Sequence, residues 1–226
     1  MIQEKNPRSS VFSVVYFLEN MSDRSAVLLF IKSPEKGKVK SRLAKTIGED
    51  AALDVYKCLV FNTLEGLKDG NYLFRLCFYP PESGEIIKNW LGDMYCYAPQ
   101  CGGDLGERMR SAFDQAFSDR VEKALLIGSD IPDMSISLID EAFKALDTSD
   151  AVIGPARDGG YYLIGFNSAS FLPDIFQGIE WSTDSVFCQT MKVFGKSGLS
   201  VHVLRVLSDV DTFDDLLSLF KSKGEK

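Results

Sequence analysis

A chain of 226 residues, 45% hydrophobic and 25% charged, carries enough apolar material for one substantial core. Its formal net charge of −7 argues against a general nucleic-acid or membrane-surface binder, and no run approaches the roughly 20 apolar residues of a membrane-spanning helix. His202, the single histidine, excludes a two-histidine metal site and speaks against a serine–histidine hydrolase.

Along the chain, residues 11–18 are apolar and follow Lys5 and Arg8, as in a signal peptide, but Glu19, Asp23 and Arg24 stand where a small-residue cleavage site belongs. Residues 1–24 therefore read as an extension ahead of one domain over 25–222. Ala26–Ile31 is the first buried strand, followed by a basic loop from Lys32 to Arg42 and a helix over Glu49–Leu67. A second strand over Tyr72–Tyr79 stops at Pro80 and Pro81, with a helix near Glu82–Leu91 and a short strand over Met94–Ala98. Glycine-rich Cys101–Met109 opens a helix to about Phe117. The strand Ala124–Ile127, a helix over Ser135–Leu146 and a strand over Ala151–Gly154 come next. Tyr161–Phe166 is extended after a turn, a helix covers Thr183–Phe194, and a strand over Ser200–Leu207 leads to a last helix ending near Lys221. Strands alternating with helices predict an α/β fold, a mostly parallel sheet covered on both faces. Cys58, Cys77, Cys96, Cys101 and Cys188 form no CxxC pair, so free and mostly buried thiols in a reducing cytosol are expected.

Five stretches carry chemistry. Gly128-Ser129-Asp130-Ile131-Pro132 ends a buried strand, and in parallel sheets ligands gather at the carboxyl ends of strands. An acid there suits a metal ion or a hydroxyl, and equally the cap of the next helix. In the basic loop, Lys32, Lys36, Lys38, Lys40 and Arg42 fall within eleven residues, shaped by Pro34 and Gly37. The order is neither a Walker loop nor a dinucleotide fingerprint, yet a cationic loop at a strand end suits a di- or triphosphate. Gly102, Gly103 and Gly106 precede a helix, where free N–H groups and Arg108 suit an anion; Asp104 as helix cap is the competing role. The turn Arg157-Asp158-Gly159-Gly160-Tyr161, with Trp181, supplies a carboxylate for hydroxyls and aromatic surface for a ring, against core packing for Tyr162 and Trp181. Asp209 and Asp211 alternate at the end of the last strand. If that strand runs near 124–127, Asp130 and Asp211 share one hard divalent ion, Mg²⁺ or Mn²⁺; helix capping competes there too.

These motifs, FIKSPEKGKVKSRL (Phe30–Leu43), GGDLGERM (Gly102–Met109), GSDIP (Gly128–Pro132), GPARDGGYYLIG (Gly154–Gly165) and DVDTFDDL (Asp209–Leu216), resemble the nucleotide-diphospho-sugar transferase superfamily of GT-A fold. Within it the chain resembles the bacterial rSAM/selenodomain-associated transferases, which carry a glycosyltransferase label. The basic loop and the terminal DVDT also resemble molybdopterin and phospholactate nucleotidyltransferases. The resemblance implies a three-layer α/β/α sandwich and an enzyme using a nucleotide-activated donor. It implies a metal-binding acid at Asp130, a second at Asp211, and nucleotide-phosphate contacts from Lys32, Lys40 and Arg42, joined by Gly103 and Arg108. Asp130, Asp158, Lys40 and Arg42 are the catalytic candidates; Arg157, Asp158, Gly159, Gly160, Tyr161 and Trp181 are the substrate contacts. Expected partners are a nucleotide or nucleotide-sugar donor and a small-molecule acceptor, with a homodimer as the assembly considered. Glycosyl transfer from a nucleotide-diphospho-sugar is the expected reaction, favoured by the turn with Trp181. Nucleotidyl transfer from a nucleoside triphosphate to a phosphorylated acceptor is the alternative, favoured by the cations, because four or five of them suit a triphosphate better than a diphosphate. A nucleotide-binding protein without chemistry is the third reading, and no metal acid or basic-loop residue is missing to support it.

Overall fold

The computed structural model describes residues 24–224; the extension expected over 1–24 lies, but for Arg24, outside them. Strands β1 (Ser25–Lys32), β2 (Leu73–Tyr79), β3 (Cys96–Pro99), β4 (Lys123–Gly128), β5 (Ala151–Pro155), β6 (Tyr161–Asn167) and β7 (Val201–Val203) form one sheet in the order β3-β2-β1-β4-β6-β5-β7. All neighbours pair in parallel except β6, which runs against both β4 and β5. Only five residues, 156–160, separate β5 from β6, too few for a crossover, so this connection has to be a hairpin.

The helices are α1 (Ser41–Ile47), α2 (Glu49–Leu67), α3 (Gly84–Leu91), α4 (Leu105–Ser118), α5 (Ile136–Ala145), α6 (Val186–Ser197) and α7 (Phe213–Gly224). They cover both faces of the sheet, because each central strand is apolar on both. Alternation along β1 sends Val27, Leu29 and Ile31 to one face, into a core with Tyr56, Val60 and Leu64 of α2 and Leu138 and Ile139 of α5. Ala26 and Leu28 point the other way, toward Met109 and Phe113 of α4 and Phe194 of α6. Phe113 and Phe166 of β6 meet edge to face with ring centroids 5.1 Å apart, which fixes α4 across the middle of the sheet.

Three details differ from the sequence expectation. The basic loop ends early, because Ser41–Ile47 already forms about two helical turns before Gly48, at φ 84, breaks it. The strand expected over 200–207 keeps ladder pairing only through Val203; Leu207 forms an isolated bridge with Ala156. The thiols are free, but only Cys77 is buried, and Cys58, Cys101 and Cys188 are exposed. Apolar periodicity places Cys58 and Cys188 on helices without saying which face they occupy. His202 is exposed on the edge strand β7.

Candidate active site

The carboxyl ends of β1, β4 and β5 open into a cavity of about 530 Å³, within the range of small-molecule sites. The basic loop closes one side and the β5–β6 hairpin the other. Between them the residues after β4 meet the segment 209–211.

That last meeting does not arise from strand adjacency, since β7 stands beside β5 and not β4. It comes from one backbone bond, in which Val210 N–H donates to the Asp130 carbonyl at 3.1 Å. Val210 is buried, so Asp209 and Asp211 on either side of it face the cavity. The cap of α7 leaves Asp211 free for this. Thr212 and Asp215 close a reciprocal box, with Asp215 Oδ2 accepting from the N–H of Thr212 at 2.7 Å and of Asp211 at 3.1 Å.

Lys40 joins the two halves. Its Nζ lies 2.7 Å from Asp130 Oδ1 and 2.8 Å from Asp211 Oδ1, with the side chain only 3% exposed. Burial opposes the charge, but the two carboxylates outweigh it and hold the ammonium pKa above its ordinary value. Apart from this ion pair, Asp130 Oδ1 has no hydrogen-bond partner among the described residues. The Lys40 backbone is left-handed (φ 48, ψ 44), a region costing a non-glycine residue about 1–2 kcal/mol. Arg42, 63% exposed, keeps Nη1 3.9 Å from Asp211 Oδ2.

Lys32 and Lys38 also line the cavity, whereas Lys36 turns away to pair with Asp50 at 2.7 Å. Lys32 is held by its backbone: the Tyr56 hydroxyl accepts from its N–H at 2.7 Å and donates to its carbonyl at 2.9 Å. Arg108, on the first turn of α4, lines the cavity with its guanidinium 4.2 Å from the Tyr79 ring centre. Gly103 does not line the cavity, and its N–H donates to Glu107 Oε2 at 2.7 Å while Asp104 Oδ1 accepts from Glu107 N–H at 2.8 Å. A capping box thus takes the donor that the sequence offered to a ligand.

On the opposite wall Asp158, Gly160, Tyr161 and Trp181 line the cavity; Arg157 and Gly159 do not. Arg157 is anchored by its backbone N–H to the Leu207 carbonyl and its side chain is exposed. Gly159 shapes the turn. It sits at φ +88, and a Cβ there would lie 2.0 Å from the Asp184 carbonyl oxygen. Gly159→Ala is therefore expected to cost about 2–4 kcal/mol in urea unfolding, from backbone strain and overpacking together. A loss under 0.5 kcal/mol would mean that the hairpin is not pressed against 184. Tyr161 and Trp181 meet edge-on with centroids 6.5 Å apart. The Trp181 indole packs on Gly106, where any Cβ would come within 2.8 Å of the ring. The indole is thereby both packing and wall.

Sequence reasoning counted Lys38 and Asp209 within the stretches that carry chemistry without giving either a role of its own, and it overlooked Gln100. Gln100 is buried after β3, and its amide donates to the Cys77 carbonyl at 2.8 Å and the Ile31 carbonyl at 3.3 Å, tying the ends of β2 and β1 at the cavity floor. A polar residue one step beyond a strand was the available signal. Burial, with Asp158 and Asp211 nearby, pushes the Asp209 carboxyl from 3.8 up to about 6. A pKa raised on folding means that the native state binds more protons between these values, so Asp209 erodes stability as pH rises through that window. Asp209→Asn should accordingly raise the melting temperature at pH 7 more than at pH 4, by thermal denaturation. An equal shift at both pH values would remove the crowding of carboxylates as its cause.

Cations thus gather at the β1–β2 end of the cavity and acids at the β4–β5 end, with Lys40 between. Among the described residues no three acidic, histidine or cysteine side chains form a ready cage for a metal ion. Two carboxylates nevertheless converge on a cation position, the one that the Lys40 ammonium fills. Carboxylate oxygens are the donors a hard divalent ion prefers, so the residues present fit such an ion.

Comparison with known proteins places the chain in a family. Residues 63–183 match the family DUF2064, described as uncharacterized proteins conserved in bacteria. A structure from Desulfovibrio desulfuricans G20, called a candidate nucleotide-diphospho-sugar transferase, is 42% identical, covers 88% of this chain and 87% of its own, and superposes with a TM-score of 0.85. The 2-phospho-L-lactate guanylyltransferase of Methanocaldococcus infernus is 28% identical over 118 residues, a match spanning 51% of this chain and 52% of that enzyme. The 4-diphosphocytidyl-2C-methyl-D-erythritol synthase of Anaerococcus prevotii, at 15% identity, 87% coverage of this chain and 96% of its own, has a TM-score of 0.56 and shares the fold. The chain belongs to the DUF2064 family and, with these relatives, to the nucleotide-diphospho-sugar transferase superfamily of transferases.

Proposed function

We propose that this protein is a divalent-metal-dependent nucleotidyltransferase. It moves a nucleotidyl group from a nucleoside triphosphate to a phosphorylated small molecule and releases pyrophosphate. The observation that carries the reading is the cavity itself, where Lys32, Lys38, Lys40, Arg42 and Arg108 line one wall and lead to the paired carboxylates Asp130 and Asp211. Five cations match the charge of a triphosphate better than that of a diphosphate. The guanylyltransferase relative supports the same chemistry, and the sequence expectation of glycosyl transfer becomes the second reading.

Asp130 and Asp211 would hold the metal ion, which when bound supplies Lewis-acid charge to the phosphates. Lys38, Arg42 and Arg108 stabilise charge on the β- and γ-phosphates as the bond to the α-phosphorus breaks. The acceptor's phosphate oxygen attacks as an anion, so no general base is needed, in keeping with a cavity without histidine. Asp158 and Asp209 would bind hydroxyls of the acceptor, and Trp181 with Tyr161 would bound its apolar side.

Glycosyl transfer is favoured by one observation, the aromatic pair Tyr161–Trp181 facing the cavity beside Asp158, which suits a sugar ring. Products separate the two readings. With Mn²⁺ and a pool of nucleoside triphosphates, pyrophosphate should appear only when a phosphorylated acceptor is added. Nucleoside diphosphate released from nucleotide-sugars, with no pyrophosphate from any pool, would establish glycosyl transfer instead.

A further inference from the structure

The placement of Lys40 reaches further than a phosphate contact. In a phosphate-binding loop a lysine is expected to point at the open cavity, yet this ammonium is withdrawn from solvent and lodged between two carboxylates on other parts of the chain. Neither carboxylate belongs to the loop, and among the described residues Lys40 is the only side chain paired with both. Its neighbours behave differently: Lys38 and Arg42 stay exposed at the rim, and Lys36 pairs outward. The backbone accepts a left-handed conformation at Lys40 and gains no side-chain cap for α1 there, so the ion pair is what holds this arrangement.

We propose that the Lys40 ammonium is a stand-in for the divalent ion: it fills the position between Asp130 and Asp211 in the free protein and is exchanged out of it when the metal binds. The charge count favours the exchange. Asp130, Asp158, Asp209 and Asp211 all line this cavity. Among the described residues Lys40 alone lies as near as 2.7 Å to Asp130 and 2.8 Å to Asp211, while Arg42 stands 3.9 Å from Asp211. A divalent ion gains about twice the attraction of an ammonium at the same distance. The released side chain belongs to the loop that faces the phosphates, so the ammonium expelled by the metal becomes available to the nucleotide. Metal and nucleotide are then coupled through one lysine: each makes room or employment for what the other displaces. This inference rests on the reading that Asp130 and Asp211 bind a divalent ion, and it holds for either transfer reaction.

The test uses the whole protein and Mn²⁺ itself, with free ion counted by electron paramagnetic resonance and no nucleotide present. Lys40→Met should bind Mn²⁺ at least tenfold more tightly than the native protein, because the competitor is gone; Lys40→Arg, which keeps a cation, should stay weak. In the native protein, the Lys40 amine should be slow to react with an acylating reagent without metal and at least fivefold faster at saturating Mn²⁺, as mapped by peptide mass spectrometry. Equal or weaker Mn²⁺ binding by a folded Lys40→Met, or unchanged labelling of native Lys40, overturns the exchange while leaving the metal reading standing. Absence of Mn²⁺ binding in native and variant proteins alike overturns both. The labelling result decides alone if Lys40→Met does not fold.

Discussion

Asp130→Asn should abolish metal-dependent turnover, by about 10²- to 10³-fold in kcat, and leave the fold standing. The substitution keeps the shape of the side chain and replaces one anionic oxygen, the atom 2.7 Å from Lys40 Nζ. Stability should change little, about 1 kcal/mol or less, because the Asp130 side chain is 44% exposed and Lys40 keeps its partner Asp211. A helix-capping role makes a different forecast, a stability loss of about 0.5–2 kcal/mol for Asp130→Ala with catalysis untouched, since Asn caps about as well as Asp. Urea unfolding of the Ala variant beside Mn²⁺-dependent product release of both variants distinguishes them, and full activity in the Asn variant would end the assignment.

The second large effect is expected at the rim of the basic loop. Lys38→Ala combined with Arg42→Ala should weaken binding of a nucleoside triphosphate roughly 100-fold, about 1.5 kcal/mol for each lost charge-assisted contact. Affinity for the bare nucleoside should move less than threefold. These two are the informative pair because they are exposed and hold little of the structure, whereas Lys40 is bound into the acid cluster. Calorimetry with both ligands gives the ratio. Parallel losses would show that the loop shapes the site and does not contact phosphate.

Much of this was readable from the residues. Strands buried on both faces announce themselves as apolar runs, and Ala26–Ile31 and Ala124–Ile127 pair side by side in the sheet. Pro80 and Gly128 ended strands where the sequence placed stops. Chain direction was not readable: the alternation in Tyr161–Phe166 is the same whichever way the strand runs, and only the five-residue turn before it, packed by Gly159 against Asp184, makes β6 antiparallel. The site divided in the same way. Asp130, Asp211, Lys40 and Arg42 are brought together, but the tie between Lys40 and Asp211 is an ion pair across 171 positions of sequence, which no local pattern encodes. Gly103 and Arg157 looked like ligand contacts because glycine before a helix and arginine in a turn are common ones. A capping glutamate claims the first, and the second points outward.

The reversed strand β6 has a consequence for how this site can diversify. A parallel connection would have left a long crossover, free to vary, over the acidic end of the cavity. Here that end is a hairpin whose length is set by its ladder on both sides and whose far strand is tied through the Tyr162 hydroxyl to the Arg205 carbonyl at 3.0 Å. Insertions within β6 would slip the register of two strand pairs, and a one-residue slip turns every side chain of β6 to the wrong face. Change of acceptor within such a scaffold is channelled to the segment 177–185, which carries Trp181 and belongs to no strand. The hairpin is the fixed jaw and that segment the adjustable one.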